Sequence, residues 1–275
     1  MAITNVSRIT GPALRELRVV TFTADERIAV ARLPDATVSL LFRARPDGDG
    51  DLTVLGPLTR ATFKRAGGLA YTVRAILAPH VARAVVGVPL DELTDRVVAV
   101  DALWGSAGEI LRDRLAGASA ELAARELAAA IIARGPKRTR ATDILVSRAR
   151  TLLDAGQPVA RIARTLDVNE RTLRRAFTDR VGLSPKRYAR IARLQQVLAH
   201  ARRGVNWARL AARLGYFDQA HLVNDFRDLV TITPDAFDHA RPWPTAAGSS
   251  AAAIDECGGP RPGVRGAGDP TLSFA

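Results

Sequence analysis

One segment of this chain occurs twice, and the duplication limits the fold more than any other feature. VARIARTL at 159–166 aligns with WARLAARL at 207–214, 48 residues on. After a turn, Leu173, Phe177 and Pro185 recur as Leu222, Phe226 and Pro234, now 49 residues on, so the second turn is one residue longer. In each copy the first segment places apolar residues at i, i+3, i+4 and i+7, which line one face of a helix. A small residue, Ala163 or Ala211, sits at the second inner position, where two helix backbones can cross closely. The second segment has Leu and Phe at i and i+4, a single apolar stripe. The joint carries Asp167 or Gly215, residue types that tolerate a left-handed backbone. Asn169 and Asp218 are suited to cap the helix that follows. Short helix, tight turn and second helix with one buried stripe predict a helix-turn-helix, written twice. One such pair could be ordinary antiparallel helices with solvated arginines. Two copies matched at core, turn and cap positions point to a duplicated functional unit.

The outer faces carry the chemistry. In the first copy Arg171, Arg174 and Arg175 stand at i, i+3 and i+4, and arginine is the side chain that contacts guanine bidentately in the major groove. The segment Ser184 to Ala201, opened by Ser-Pro, reads as a helix joining the units. Its length is roughly 27 Å at 1.5 Å per residue, against about 34 Å for one turn of B-DNA. With the flanking helices added, two readers could enter successive major grooves on one face of a duplex.

Charge follows the same segment. The chain carries a formal net charge of +12. Residues 137–241 hold 21 Lys+Arg against 10 Asp+Glu, while residues 1–136 hold 17 against 15 and residues 242–275 hold 2 against 3. Concentrated positive charge is the footprint of a polyanion binder. Only Lys64, Lys137 and Lys186 are lysines, which suggests a GC-rich genome, yet such bias would raise arginine everywhere, and the first half balances its arginines with acids.

With these elements in place, residues 142–240 resemble the DNA-binding domain of the AraC family of bacterial transcription regulators. The likeness rests on the paired units, the joining helix, the pattern Phe-x4-Gly-x-Ser-Pro at Phe177–Pro185 and the segment LGYFDQAHLVNDF. It implies base-facing positions at Arg171, Arg174 and Arg175 in the first reader and at Gln219, Ala220, Val223 and Asn224 in the second. Two positions depart from the family pattern. Thr231 stands where glycine is usual, and Asn224 where an arginine or another long polar residue is common. The departures imply that the second helix reads fewer bases or mainly touches backbone.

The remainder predicts an α+β N-terminal domain, short strands followed by helices, ahead of an all-α C-terminal domain. RVVTFTA, TVSLLFRAR, LTVLG, RATFKR and AYTVRAILA are short, β-branched or aromatic and partly alternating, with turn chemistry at Pro46–Asp51 and Ala66–Gly68. PHVARAVVG predicts a short helix ending at Gly87, and residues 108–135 carry helical spacing up to Gly135-Pro136. VGVPLDELTDRVVAVDALWG (86–105) resembles the uncharacterised N-terminal domain found ahead of this DNA-binding domain in many actinobacterial regulators. In the wider family that position senses an effector or dimerises. The boundaries expected are 1–135 for the regulatory or dimerisation domain, 136–141 for a linker, 142–241 for the DNA-binding domain and 242–275 for a disordered Gly/Pro-rich tail. AELAARELAAAII has a narrow apolar stripe that fits either a homodimer contact or packing on the strand layer.

Several classes find no support. The single cysteine, Cys257, lies in the tail, which argues against a disulfide framework, a thiolate zinc site and a DNA-repair alkyl-acceptor enzyme. Gly-rich phosphate loops, nucleophile elbows and metal motifs are absent, and no cofactor is expected. His80 has no partner at metal spacing and reads as structural. Asp91, Glu92 and Asp95 read as caps of a short helix, with Asp95 and Arg96 as a local ion pair, and Trp104 as a core plug. No uncharged apolar stretch of about 18 residues exists, and the N-terminus lacks the order of a signal peptide. The expectation is a cytoplasmic, non-enzymatic regulator that binds double-stranded DNA, with no membrane association. The competing readings are a nonspecific nucleic-acid binder and a small-molecule-sensing module whose basic helices face another partner.

Overall fold

Alternation dictates the first sheet. In the computed structural model, which describes residues 11–22, 28–136, 140–200, 205–239 and 252–254, the segment YTVRAIL forms β6 (Tyr71–Leu77), with Tyr71, Val73, Ala75 and Leu77 buried. It lies at the heart of an antiparallel sheet. β1 (Leu14–Thr21) flanks it on one side, and β3 (Ser39–Ala44), β4 (Gly50–Leu55) and a short strand at Val97–Ala99 follow on the other. The register sets Leu40 opposite Ala75 and Phe42 opposite Val73, so period-2 side chains from adjacent strands meet on the buried face.

Helices cover that face. α1 (Pro79–Val86) starts on Pro and ends at Gly87, φ 88°, as expected from the sequence. α2 (Val100–Trp104), α3 (Ser106–Leu115) and α4 (Ala120–Arg134) follow. The helical run at 108–135 is thus broken at Ala116–Ser119, where Gly117 takes φ 72° and Ser119 caps α4 through the Leu122 N–H at 3.3 Å. The apolar stripe of α4 is used internally: Ala123, Ala124, Leu127 and Ile131 are buried in the core shared with the sheet. Trp104 is buried beside them, its indole N–H donating to the Val85 carbonyl at 3.0 Å under the Arg134 guanidinium.

A second, smaller sheet departs from expectation. β2 (Ile28–Arg32) pairs antiparallel with β5 (Thr62–Ala66) on one side and β8 (Ala252–Ile254) on the other, the Val97–Ala99 strand being β7. Residues 242–275 were expected to carry no structure. Ala252–Ile254, part of the tail's apolar run, instead completes the open edge of β2; the rest of that tail, Cys257 included, lies outside the described residues. β2 and β7 are too short to announce themselves, and each forms because a neighbouring edge offers unpaired backbone.

The C-terminal half is helical: α5 (Ala141–Asp154), α6 (Val159–Thr165), α7 (Glu170–Val181), α8 (Pro185–His200), α9 (Trp207–Arg213), α10 (Gln219–Val230) and α11 (Pro234–His239). α5 starts at Ala141, the last residue of the expected linker. Arg140 precedes it, and Asp143 reaches back to accept from the Arg140 N–H at 3.2 Å. These helices share a second core that also takes in Leu33 and Ala61 from the first half. No helix among the described residues is long and apolar enough to cross a membrane.

Candidate nucleic-acid interface

The two units repeat bond for bond. At the joint the Val168 N–H donates to Ala163 O and the Tyr216 N–H to Ala211 O, both at 3.0 Å. Asp167 and Gly215 just before them hold φ 52° and 73°, the left-handed backbone their residue types permit. Asn169 caps α7 by accepting from the Thr172 N–H at 2.7 Å, and Asp218 caps α10 by accepting from the His221 N–H at 2.6 Å. Leu173, Phe177 and Val181 are buried on α7, and Leu222, Phe226 and Val230 on α10. Both helices end in a left-handed residue, Gly182 at φ 79° and Thr231 at φ 70°.

A further pair completes the repeat and was missed from sequence. Phe177 meets Tyr188 edge-on at 5.2 Å, and Phe226 meets Phe237 edge-on at 5.6 Å. Tyr188 and Phe237 each lie three residues after the closing proline, in SPKRY and TPDAF. That spacing is the signal that could have found them.

Ionic locks fasten α7 and α10 to their neighbours. On α7, Arg180 pairs with buried Asp143 of α5 at 2.8 Å. On α10, buried Asp225 accepts from Arg190 of α8 and from the Tyr216 hydroxyl at 3.2 Å, while Arg190 also pairs with Asp228 at 2.8 Å. Burial, and then the Asp225 carboxylate, push the Tyr216 hydroxyl well above its usual range, so it stays a donor.

The locks engage inner faces and leave outer ones free. Arg171, Arg174 and Arg175 are all exposed on one face of α7, with no ion pair or hydrogen bond to any described residue. On α10, Gln219, Ala220 and Asn224 are exposed, but Val223 is half-buried, which limits what its side chain can reach. Exposed cations flank the readers: Arg161 and Arg164 on α6, Lys186 and Arg187 on α8, Arg209 and Arg213 on α9. Arg161 and Arg209 hold the same position in the two copies, a correspondence present in the 48-residue repeat itself.

The first half grips the C-terminal ends of α7 and α10. The Thr94 hydroxyl donates to the Gly182 carbonyl at 2.6 Å, and Arg83 pairs with Asp179 at 3.3 Å. The Ala61 N–H donates to the Leu229 carbonyl at 2.7 Å, and the Gln195 amide donates to the Pro34 carbonyl. Asp95, at φ 60°, ties these two grips together by accepting from both the N–H and hydroxyl of Thr59 at 2.6 Å. It does not pair with Arg96, whose guanidinium donates to the Glu92 carbonyl instead. His80 is exposed at the start of α1. No group of His, Cys, Asp and Glu among the described residues could hold a metal ion.

Comparison with known proteins bears on this geometry. Residues 162–240 match a family model described as a helix-turn-helix domain. Among solved structures, an AraC-type transcriptional regulator from Chromobacterium violaceum is 22% identical, over 38% of this chain and 97% of its own, with a TM-score of 0.33. The C-terminal domain of AraT, a response regulator from Geobacillus stearothermophilus, is 20% identical over 35% of this chain and 85% of its own, with a TM-score of 0.32. ToxT from Vibrio cholerae is 9% identical over 82% of this chain and 98% of its own, with a TM-score of 0.40. No curated protein matches the chain. The matched segment begins inside α6 and runs past the start of α11, taking in both α7 and α10: residues 162–240 of this chain match a helix-turn-helix domain.

Proposed function

We propose that this chain is a sequence-specific transcription regulator that places α7 and α10 in successive major grooves of duplex DNA. The observation that carries the reading is the unpaired arginine face of α7. Three guanidinium groups at i, i+3 and i+4 are held out by a helix whose opposite face is buried and locked. Arg171, Arg174 and Arg175 then read guanine edges, while Gln219, Ala220 and Asn224 supply a weaker second set, with Val223 at its margin. The exposed cations on α6, α8 and α9 suit phosphate contacts, which add affinity without sequence information. α8 spans 16 residues, roughly 24 Å at 1.5 Å per residue, a separation compatible with adjacent grooves. The first half then acts as the regulatory or subunit-pairing part, responding to a small-molecule effector through its grip on both readers. The protein acts in the cytoplasm and performs no chemistry of its own.

The test is selection of duplexes from a randomised pool with the full-length protein. A single asymmetric site of about two helical turns is expected, since two unequal readers lie in one chain. On that site Arg174→Ala should cost about 1–3 kcal/mol and far less on random DNA. Equal loss on both would make Arg174 a phosphate contact. Absence of any enriched sequence would sink the specific reading in favour of a nonspecific binder.

A further inference from the structure

The one-residue lengthening of the second turn can be assigned to a single residue. The joints of the two units match through the hydrogen bonds of Val168 and Tyr216, and match again at the caps Asn169 and Asp218. Asn169 follows Val168 directly, whereas Phe217 stands between Tyr216 and Asp218. Phe217 is therefore the insertion. It is also 92% exposed, the most exposed large apolar side chain among the described residues.

Its backbone is anchored on both sides. On one side Tyr216 is buried, bonded through its hydroxyl to Asp225, set edge-on to His221 at 5.3 Å and covered by Arg193. On the other side Asp218 is fixed as the helix cap. The Phe217 N–H itself donates to His221 Nδ1 at 3.4 Å. The ring is thus held out in water, one residue before the cap of α10, at the end by which a recognition helix meets base edges. Arg209 and Arg213 lie exposed on the adjoining helix. A phenyl ring in water is unfavourable and nothing in the described fold covers it.

We propose that Phe217 is a specificity residue whose ring packs against a thymine C5-methyl group in the second half-site. The base-facing set of α10 has no cation, so its discrimination must rest on amide and apolar contacts. The thymine methyl is the apolar group displayed on base edges in the major groove, and phenylalanine is among the side chains that contact it. The inference rests on the reading of α10 as a groove-bound helix.

The experiment uses the full-length protein and the duplex it selects. Each thymine of the second half-site is replaced in turn by deoxyuridine, which lacks only the methyl. One replacement should weaken wild-type binding by about three- to tenfold, the effect of losing one buried methyl. Phe217→Ala should weaken binding to the thymine duplex by a similar factor and be indifferent to that replacement, while Phe217→Leu keeps most of the sensitivity. Truncating so exposed a side chain removes no core contact, and an unchanged melting temperature checks this. If Phe217→Ala binds the selected duplex like wild type, the ring faces another partner, such as a protein, and the inference is overturned. Loss that is equal on thymine, deoxyuridine and random duplexes would overturn it too, leaving a backbone contact. If no duplex is selected at all, the groove-bound reading fails first and takes the inference with it.

Discussion

Thr231 and Gly182 close the two reading helices in the same left-handed conformation, at φ 70° and 79°. A side chain there is strained, and a β-branched one more so. The difference lies in what surrounds them. Thr231 is exposed, whereas a Cβ at Gly182 would sit 2.7 Å from the Leu90 carbonyl oxygen and 2.8 Å from the Pro57 ring. Only the first reader's end is pressed against the N-terminal half at that point, so only there is glycine required by contact as well as by backbone. Thr231→Gly should therefore stabilise the protein by roughly 0.5–1 kcal/mol, the relief of strain less the entropy glycine adds to the unfolded chain. A thermal melt should show a rise of about 1–4 °C for a chain of this size. An unchanged or lowered melting temperature would mean that the threonine backbone is not strained.

Polar locks as well as apolar stripes hold α7 and α10 in place. Arg190 of α8 holds two carboxylates of α10, one buried and one exposed. Its hydrogen bond to Asp228, reinforced by its charge, holds that carboxyl below the usual carboxylate range. A depressed folded-state pKa means that the contribution is fully present above the unfolded value, near 4, and is lost as pH falls through the folded one. The melting-temperature difference between wild type and Asp228→Asn should thus be largest near neutrality and shrink at pH values below about 4. A difference that stays constant across that window would assign the pairing no role in stability. The Arg190–Asp225 bond, deeper in the same lock, explains how α10 keeps its orientation although its outer face is largely uncharged.

At the scale of the whole molecule, the N-terminal half is a bracket across the two readers. It holds the Gly182 end of α7 through Thr94, the Leu229 end of α10 through Ala61 and the middle of α8 through Pro34. Thr59 and Asp95 join the first two grips. On the proposed function, such a bracket would restrict how far α7 and α10 can adjust to DNA and make the protein selective for half-site spacing. Thr94→Val removes the bond to Gly182 at nearly constant volume. It should cost about 1 kcal/mol of stability and let the protein bind sites lengthened or shortened by one base pair nearly as well as the selected site. Unaltered spacing selectivity in that variant would remove the N-terminal half from control of reader geometry.

Much of the C-terminal half was legible from sequence because its determinants are local. The apolar period, the left-handed residues Asp167 and Gly215 and the caps Asn169 and Asp218 act within a turn or two of themselves. The alternation of β3 and β6 and the proline start of α1 were readable for the same reason. The short strands β2, β7 and β8 were not, since each depends on the edge of a strand distant in the chain. Nor could the sequence tell that the stripe of α4 is buried on its own sheet, that Leu33 and Ala61 enter the helical core, or that Asp95 answers Thr59 and not Arg96. The turn's extra residue could be counted, but its identity as Phe217 came from matching backbone hydrogen bonds, and its exposure from the folded surface. By itself the sequence determined two helix-turn-helix units, their joints and the arginine face of α7. The tertiary structure decided which faces remain free and what grips the reader ends, because burial and long-range pairing depend on residues that meet only after the chain has folded.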